Sequence, residues 1–339
     1  MNSDGGSLER SRRLLERAHE MAPKNRLVLH SLSELTLRRS EESNNAPERA
    51  KLRDNARQQA FSLIRSGQIS PYPYHTLLKA DLAELTELIE EGDEPSIGRA
   101  IKQLDERIGQ ATQRFPEDSF IATAESDFLK LIDENERALT VLRRAYDADK
   151  GSPYVTTRLA RVYEAKGEVA KSIKTLKASL DVNPGSKRVN FQLAKLLQNI
   201  PDTPTSEVRH YLRGSFTTGD TNSAAQFEFA RLLYLEGEIN QAQHHFDNLK
   251  YAKVHTRLKK APRGIVRNSL DDPVEFTGNL VGMQSTYGFV KRDRYADNLF
   301  THESYNPDIN WNTLRLGKRL RFNMAFNYRG PVATNITPE

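Results

Sequence analysis

The sequence has no cysteine and a single tryptophan among its 339 residues. The absence of cysteine excludes a disulfide framework, a thiolate zinc site, iron–sulfur ligation and a cysteine nucleophile. Long apolar runs are also missing, since none exceeds about four residues, so no membrane span is expected. The first residues contain arginines and glutamates where a signal peptide needs its apolar stretch. We therefore expect a cytoplasmic protein without a membrane partner.

Acidic residues are scarce in the last quarter of the chain. The formal net charge is +5, but residues 250–339 carry 15 basic and 8 acidic side chains, a net charge of +7, which leaves residues 1–249 at −2. Segment 250–267 contains seven Lys or Arg residues and no acid. This change of net charge along the chain predicts that the C-terminal part contacts an anion. For 250–267 itself, phosphate contact is the interpretation that we favour over a solvated linker.

Residues 152–186 show the pattern of a helical repeat. A first predicted helix carries Leu159 and Tyr163 on one face, Gly167 then breaks the chain, and Pro184 ends a second helix. Apolar residues at helical spacing indicate that each helix buries one face against its neighbours.

The pattern recurs at a nearly constant spacing. Ala138 precedes Ser172 by 34 residues, and Gly237 follows Gly167 by 70 residues. These residues resemble the tetratricopeptide repeat (TPR), whose paired antiparallel helices need a small residue where they cross closely. The resemblance implies an α-solenoid with an inner face that docks a protein partner.

Aromatic side chains stand two residues apart in two predicted strands. Tyr287 and Phe289 form the first pair, and Phe300 and His302 form the second. Alternate residues of a strand point to the same face, so the four rings can lie together on one exposed sheet. Such a surface suits unpaired bases, which need only a flat ring on which to stack. The alternative is that these rings belong to the core of the β domain.

Other side chains of this region are candidates for contact with nucleic acid. Lys291 and Arg292 directly follow the first pair and are expected to contact phosphates. Trp311 lies in the loop 305–314, and its side chain is expected either to pack within that loop or to contact a ligand. His302 is expected to stack on or hydrogen-bond to a base, because no second histidine lies at metal-ligand spacing.

The C-terminal part resembles the cold-shock domain. STYGFV at 285–290 is similar to the family's first ribonucleoprotein motif, and LFTH at 299–302 is similar to its second. The ending RGPVATNI at 329–336 follows the family's pattern, with Arg329 in place of a lysine. The resemblance implies a five-stranded oligonucleotide-binding (OB) barrel that stacks single-stranded RNA or DNA on these aromatics, with Arg329 in its binding region. One departure is the stretch 279–283, NLVGM, which lacks the family's first-strand tryptophan.

The predicted fold class is multidomain, with an all-α TPR-like solenoid followed by a small all-β, cold-shock-like OB barrel of five strands. The boundaries are a disordered tail over 1–7, degenerate TPR-like helices over 8–118, TPR-like repeats over 119–251, a basic linker over 252–273 and the OB domain over 274–339.

The sequence contains no phosphate-binding glycine loop, no nucleophile elbow and no HExxH helix. We therefore expect a non-enzymatic protein with no catalytic residue, metal or cofactor. The predicted function is that of a nucleic-acid-binding adaptor, in which the barrel holds single-stranded RNA or DNA while the solenoid docks a protein partner. Two alternatives are a protein-interaction module with a degenerate barrel, and the C-terminal sensor part of a larger effector system whose enzymatic domain lies elsewhere.

Overall fold

The chain folds into two compact units, Met1–Asn183 and Pro184–Glu339. The computed structural model describes residues 3–67, 69–295 and 297–339. The sequence places the boundary between helical and β parts after residue 251, whereas the division into compact units falls within the helical repeats. In the part of the chain that is described, no helix has the length and apolar character needed to cross a membrane.

The first unit is helical. Its described helices are α1 (Ser3–Met21), α2 (Arg26–Glu42), α3 (Ala46–Arg65), α4 (Tyr72–Glu91), α5 (Glu94–Arg114), α6 (Ser119–Leu131), α7 (Asn135–Ala148), α8 (Pro153–Ala165) and α9 (Val169–Val182). Consecutive helices pack in pairs, with α2 against α3, α4 against α5, α6 against α7 and α8 against α9. Helix α1 begins within the segment 1–7 for which the sequence predicts disorder, and residues 1 and 2 lie outside the described residues.

A left-handed residue recurs in the turns between paired helices. Gly167 has φ = 74° and Gly237 has φ = 84°, while Asp133 and Asp202 both have φ = 61°. Aspartate tolerates this conformation better than most residues with a side chain, because its short polar group can bond locally. The repeat is therefore regular in backbone geometry at two turns where the sequence lacks the glycine.

The second unit begins with further helices. They are α10 (Lys187–Gln198), α11 (Thr205–Gly214), α12 (Ser223–Leu235), α13 (Ile239–Leu249) and the short α14 (Thr256–Lys260). The pairs are α10 with α11 and α12 with α13. Ala230 and Ala242, the small residues of the last pair, are fully buried, as close packing of two helices requires.

Five strands follow and close into a barrel. They are β1 (Glu275–Met283), β2 (Tyr287–Arg292), β3 (Asn298–His302), β4 (Arg319–Asn327) and β5 (Gly330–Pro338). The order around the barrel is β1-β2-β3-β5-β4, with β3 and β5 parallel and the other pairs antiparallel. The predicted fold class is confirmed as a TPR-like helical solenoid followed by a closed five-stranded barrel.

Strand alternation builds the barrel core. In β4, Leu320, Phe322 and Met324 are buried, whereas Arg319 and Arg321 are exposed. This alternation agrees with the period of two in the sequence.

The basic segment 252–273 is not a free linker. Arg263 and Phe326 exchange backbone hydrogen bonds of 2.8 and 2.9 Å, and the Val266 N–H donates to the Met324 carbonyl at 2.9 Å. Strand β1 pairs with β4 only as far as Asn323, so the remaining edge of β4 has backbone groups to satisfy. The basic segment satisfies them and is thereby fixed to the barrel.

Helices α12 and α13 also pack on the barrel. The rings of Phe246 and Phe326 stack at 6.3 Å between centroids, and those of Phe227 and Tyr328 lie 5.1 Å apart. All four side chains are buried. The last helix pair and the barrel therefore share one hydrophobic core, which explains why the compact units divide upstream of both.

Candidate nucleic-acid interface

Four aromatic side chains form a platform on the outer face of β2 and β3. The antiparallel register pairs Tyr287 with His302 and Phe289 with Phe300. Tyr287 is 38% exposed and Phe289 39% exposed, whereas Val290 between the outward positions is fully buried. The structure therefore brings these four sequence-predicted side chains together, and it places the rings outside the core. We call these four residues the platform.

The rings of the platform are in mutual contact. Tyr287 and Phe300 stack with centroids 5.8 Å apart and planes inclined by 28°. Phe289 meets Phe300 edge-on at 5.8 Å, and His302 lies 6.5 Å from Phe300. Such contacts fix the orientation of each ring and leave the outer faces available.

Gly288, which lies between Tyr287 and Phe289 in β2, allows β2 to approach β1 closely. A Cβ atom at Gly288 would lie 2.7 Å from the Gly282 carbonyl oxygen and 3.2 Å from a methyl carbon of Leu280. Any larger residue would therefore push β2 away from β1. Glycine allows the two strands to approach and so sets the position of the platform.

Tyr305 extends the platform, and sequence reasoning missed it. It ends a short 3-10 turn, Glu303–Tyr305, and its ring lies 5.7 Å from His302 and 6.3 Å from Phe300. Its hydroxyl donates to the Lys260 carbonyl at 2.8 Å. Burial raises the pKa of Tyr305, so the phenol stays a neutral donor. No strand alternation reaches residue 305, and the sequence pattern therefore gives no signal for it.

A cavity of about 730 Å³ opens beside the platform. Phe300, His302 and Tyr305 supply its rings. Lys250, Arg257, Lys260 and Arg329 supply its cations, and none of its described lining residues is acidic. We call this the basic cavity. The basic cavity brings the predicted residue Arg329 and part of segment 250–267 next to the platform.

Lys291 lies on the outer face of β2, in register with Asn298 of β3 and Asn279 of β1. Its side chain is exposed on the same face as Phe289. The placement is that expected for a residue that contacts the phosphates of a strand lying on the platform.

Arg292 does not lie on this face, which corrects the expectation from the sequence. Its side chain is 5% exposed, because strand alternation turns position 292 to the side of Val290. The guanidinium carbon lies 3.4 Å from the centroid of Tyr295, and Nη2 lies 3.4 Å from Asp297 and 3.2 Å from the Tyr234 hydroxyl. Burial lowers the pKa of Arg292. Arg292 therefore joins the barrel to α12 and is not available to a phosphate.

Trp311 is also a packing residue. It is 5% exposed, and its Nε1 donates to the Gln284 carbonyl at 3.1 Å. This bond holds the β1–β2 hairpin against the loop that follows β3. The indole therefore does not replace the ring missing from the first strand, where Val281 is exposed beside a bulge between Leu280 and Gly282.

His302 has a local partner. Its Nδ1 lies 2.9 Å from the Ser304 hydroxyl and accepts from the Ser304 N–H at 3.1 Å. Within the described ranges, no group of three or more His, Asp or Glu side chains is arranged to hold a metal ion. These bonds hold the imidazole at the edge of the platform, where it can stack or donate from Nε2.

Comparison with known protein families matches residues 133–199 to the tetratricopeptide repeat. This span contains helices α7 to α10. No curated protein matches the chain at a significant level.

Several solved structures are similar in part. A thermophilic TPR protein of Thermus thermophilus is 18% identical, with a TM-score of 0.45, and the match covers 57% of this chain and 92% of that one. Pseudomonas aeruginosa pilF is 17% identical, with a TM-score of 0.44 over 66% of this chain and 90% of its own. The human IFIT1 dimer with PPP-AAAA is 13% identical, with a TM-score of 0.42 over 74% of this chain and 58% of its own.

Similarities at this level carry no argument about function. The family match shows tetratricopeptide repeats over residues 133–199, and a closed five-stranded β-barrel follows the helices.

Proposed function

We propose that this protein is a non-enzymatic adaptor whose barrel binds single-stranded nucleic acid while its repeats dock a protein partner. The observation that carries the proposal is the platform, a cluster of partly exposed rings that lies beside a cavity with four cations. Unpaired bases stack on such rings, and the cations meet the phosphates.

The cold-shock-like OB interpretation has support from the placement of its motifs. The barrel has the five strands that the resemblance implies, and the two motifs fall on β2 and β3. In OB folds, the surface of these two strands is a binding face for oligonucleotides. The platform stands on that surface.

The alternative that the rings are core residues has little support from the strand geometry. In β2 the inward positions are Gly288, Val290 and Arg292, and all three are buried. Tyr287 and Phe289 occupy the outward positions. Large apolar rings exposed in a contiguous cluster are typical of interaction sites.

Fluorescence anisotropy with the full chain tests the proposal. A labelled strand and the duplex of the same sequence are titrated at one stated salt concentration, because phosphate contacts make affinity salt-dependent. We expect tighter binding of the single strand, since stacking on the platform needs bases free of their complement. Equal or tighter binding of the duplex would show that the stacking mechanism is wrong.

A second candidate is a barrel that contributes only protein contacts. The specific observation in its favour is β1, where Asn279 and Val281 stand in the stretch that lacks the family's aromatic ring. This candidate predicts no binding of either probe at low salt. The same titration therefore separates the two functions.

A further inference from the structure

The cations of the basic cavity are unusual because most of them lack a counterion. Lys250 pairs with Asp247 at 2.5 Å. Arg257, Lys260 and Arg329 form no salt bridge with any residue that the structure describes. Like charges gathered around one cavity repel each other, and a bound anion removes that repulsion.

The wall that carries these cations is held in place. The Lys260 carbonyl accepts from the Tyr305 hydroxyl at 2.8 Å, and the Lys259 carbonyl accepts from the Tyr328 N–H at 3.1 Å. Short helix α14 is thus tied to the barrel at two successive residues. The backbone from which the Arg257 and Lys260 side chains project is therefore fixed relative to the rings of the cavity.

Rings and cations stand on different walls of the same space. His302 and Tyr305, with centroids 5.7 Å apart, continue the platform into the cavity, while the charged wall comes from α14 and Arg329. A volume of about 730 Å³ lies in the range of small-ligand sites, roughly 300–1,000 Å³. One nucleotide has both the flat base and the charged phosphate that these walls require.

We propose that the basic cavity takes one nucleotide of the strand bound on the platform, with its phosphate among Arg257, Lys260 and Arg329 and its base against Tyr305 and His302. This inference rests on the proposed function and adds a defined subsite to it. The phosphate has two sources, an internal phosphodiester or a phosphorylated strand end. Arginine suits either one, because its planar group donates two parallel hydrogen bonds to phosphate oxygens.

The test uses anisotropy titrations of the full chain with a labelled oligothymidylate over a range of salt concentrations. Arg257→Ala and Lys260→Ala should each weaken binding by roughly tenfold at low salt, the loss of one charge-assisted contact. Each should also lower the slope of log K against log salt by about 0.7. Lys195→Ala is the matched control, since it removes one exposed positive charge from α10 of the same unit and does not line the cavity.

The ring wall is tested with a second pair of variants. Tyr305→Leu and Tyr305→Phe both lose the hydroxyl bond to the Lys260 carbonyl, but only Tyr305→Leu loses the stacking face. Tyr305→Leu should therefore weaken binding more than Tyr305→Phe, at the same salt slope. Circular dichroism confirms that each variant is folded.

Strands with a 5′-phosphate, a 3′-phosphate or neither identify the source of the phosphate. If one phosphorylated end binds more tightly to the wild type, and Lys260→Ala removes that advantage, the cavity holds a strand end. If the three strands bind alike and Lys260→Ala weakens all of them, the cavity holds an internal phosphodiester. Both results support the subsite.

The result that overturns the subsite is that Arg257→Ala and Lys260→Ala bind like Lys195→Ala while Phe289→Ala weakens binding. The platform would then act without the cavity. If the wild type binds no single strand, or if Phe289→Ala has no effect, the proposed function itself fails. The two failures are therefore distinguishable.

Discussion

Charged side chains are arranged in opposite ways in the first unit and around the basic cavity. In the first unit, Asp81 is buried and accepts hydrogen bonds from both Arg57 and Arg107. Around the cavity, Arg257 and Lys260 have no carboxylate partner among the described residues. Ions that satisfy each other inside a helical array leave no unpaired charge for an outside partner, whereas cations without partners attract an anion.

A second cluster in the first unit follows the same rule. Glu87 accepts hydrogen bonds from Arg53 at 2.6 Å and from Arg49 at 2.8 Å. The difference between the two regions teaches that the number of basic residues does not identify a binding surface. The pairing of those residues does, and pairing depends on the fold.

The largest effect is expected from Asp81→Ala. The substitution leaves Arg57 and Arg107 partly buried without their shared partner and should lower the free energy of unfolding by about 3–5 kcal/mol. Urea unfolding followed by far-ultraviolet circular dichroism measures it. Asp54→Ala is the control, because Asp54 also pairs with Arg57, at 2.7 Å, but is exposed, and it should cost less than about 1 kcal/mol. Equal stability of the two variants would show that the buried pairing of Asp81 does not matter more to the first unit than the exposed pairing of Asp54.

The next effect concerns the platform. Phe289→Ala or Phe300→Ala should weaken binding of a single strand by about 1–3 kcal/mol, the value of one lost base stack. Trp311→Phe keeps a ring but loses the hydrogen bond to Gln284, so it should lower stability by about 1 kcal/mol and leave affinity unchanged. Anisotropy and thermal unfolding of the same samples check both. Normal binding by a folded Phe289→Ala protein would show that the ring does not stack on bases.

Two adjacent residues of β2 compare a buried, paired charge with an exposed one. Arg292→Ala should lower the free energy of unfolding by about 1–3 kcal/mol, because Asp297 and Tyr234 lose a buried partner. Lys291→Ala should leave stability unchanged and lower the salt slope of binding by about 0.7. If Arg292→Ala instead changed only the salt slope, the buried placement of Arg292 would be wrong.

The smallest effect is a pH dependence in the first unit. The hydrogen bond from Arg53 lowers the pKa of Glu87. A carboxylate with a lowered pKa contributes stability above its ordinary pKa, and that contribution is lost as pH falls through the lowered value. Glu87→Gln should therefore flatten the acid side of the stability profile. Glu90→Gln, on the exposed part of the same helix, is the control and should leave the profile unchanged.

Local pattern was enough to predict the elements and the platform. The period of two in β2 and β3 placed Tyr287 and Phe300 on one face, and the recurring glycines marked the turns at 167 and 237. Both signals come from residues near each other in sequence. They depend on strand and helix geometry alone.

Tertiary contacts decided the rest. The basic neighbours of Arg292 in the sequence suggest that it contacts a phosphate. In the structure it is buried, because the alternation of side chains along β2 turns it inward and Tyr234 of α12 packs against it. Tyr305 reaches the platform only because a turn follows β3. Segment 252–273 is predicted to be a linker from its composition. The composition does not show that the segment hydrogen-bonds to the unpaired edge of β4. The contact of Arg292 with Tyr234 and the pairing of segment 252–273 with β4 depend on partners far away in the chain, whereas the inward side of position 292 and the turn at Tyr305 are local.

Photocrosslinking with peptide mapping tests the central claim most directly. A single strand that carries 4-thiouridine is irradiated with the full-length protein, and the attached peptides are identified by mass spectrometry. We expect crosslinks at Tyr287, Phe300 and His302 on the platform, and a loss of the Phe300 crosslink in Phe300→Ala. Crosslinks confined to the helices before residue 250 would contradict the account, because they would place the nucleic-acid site in the repeats.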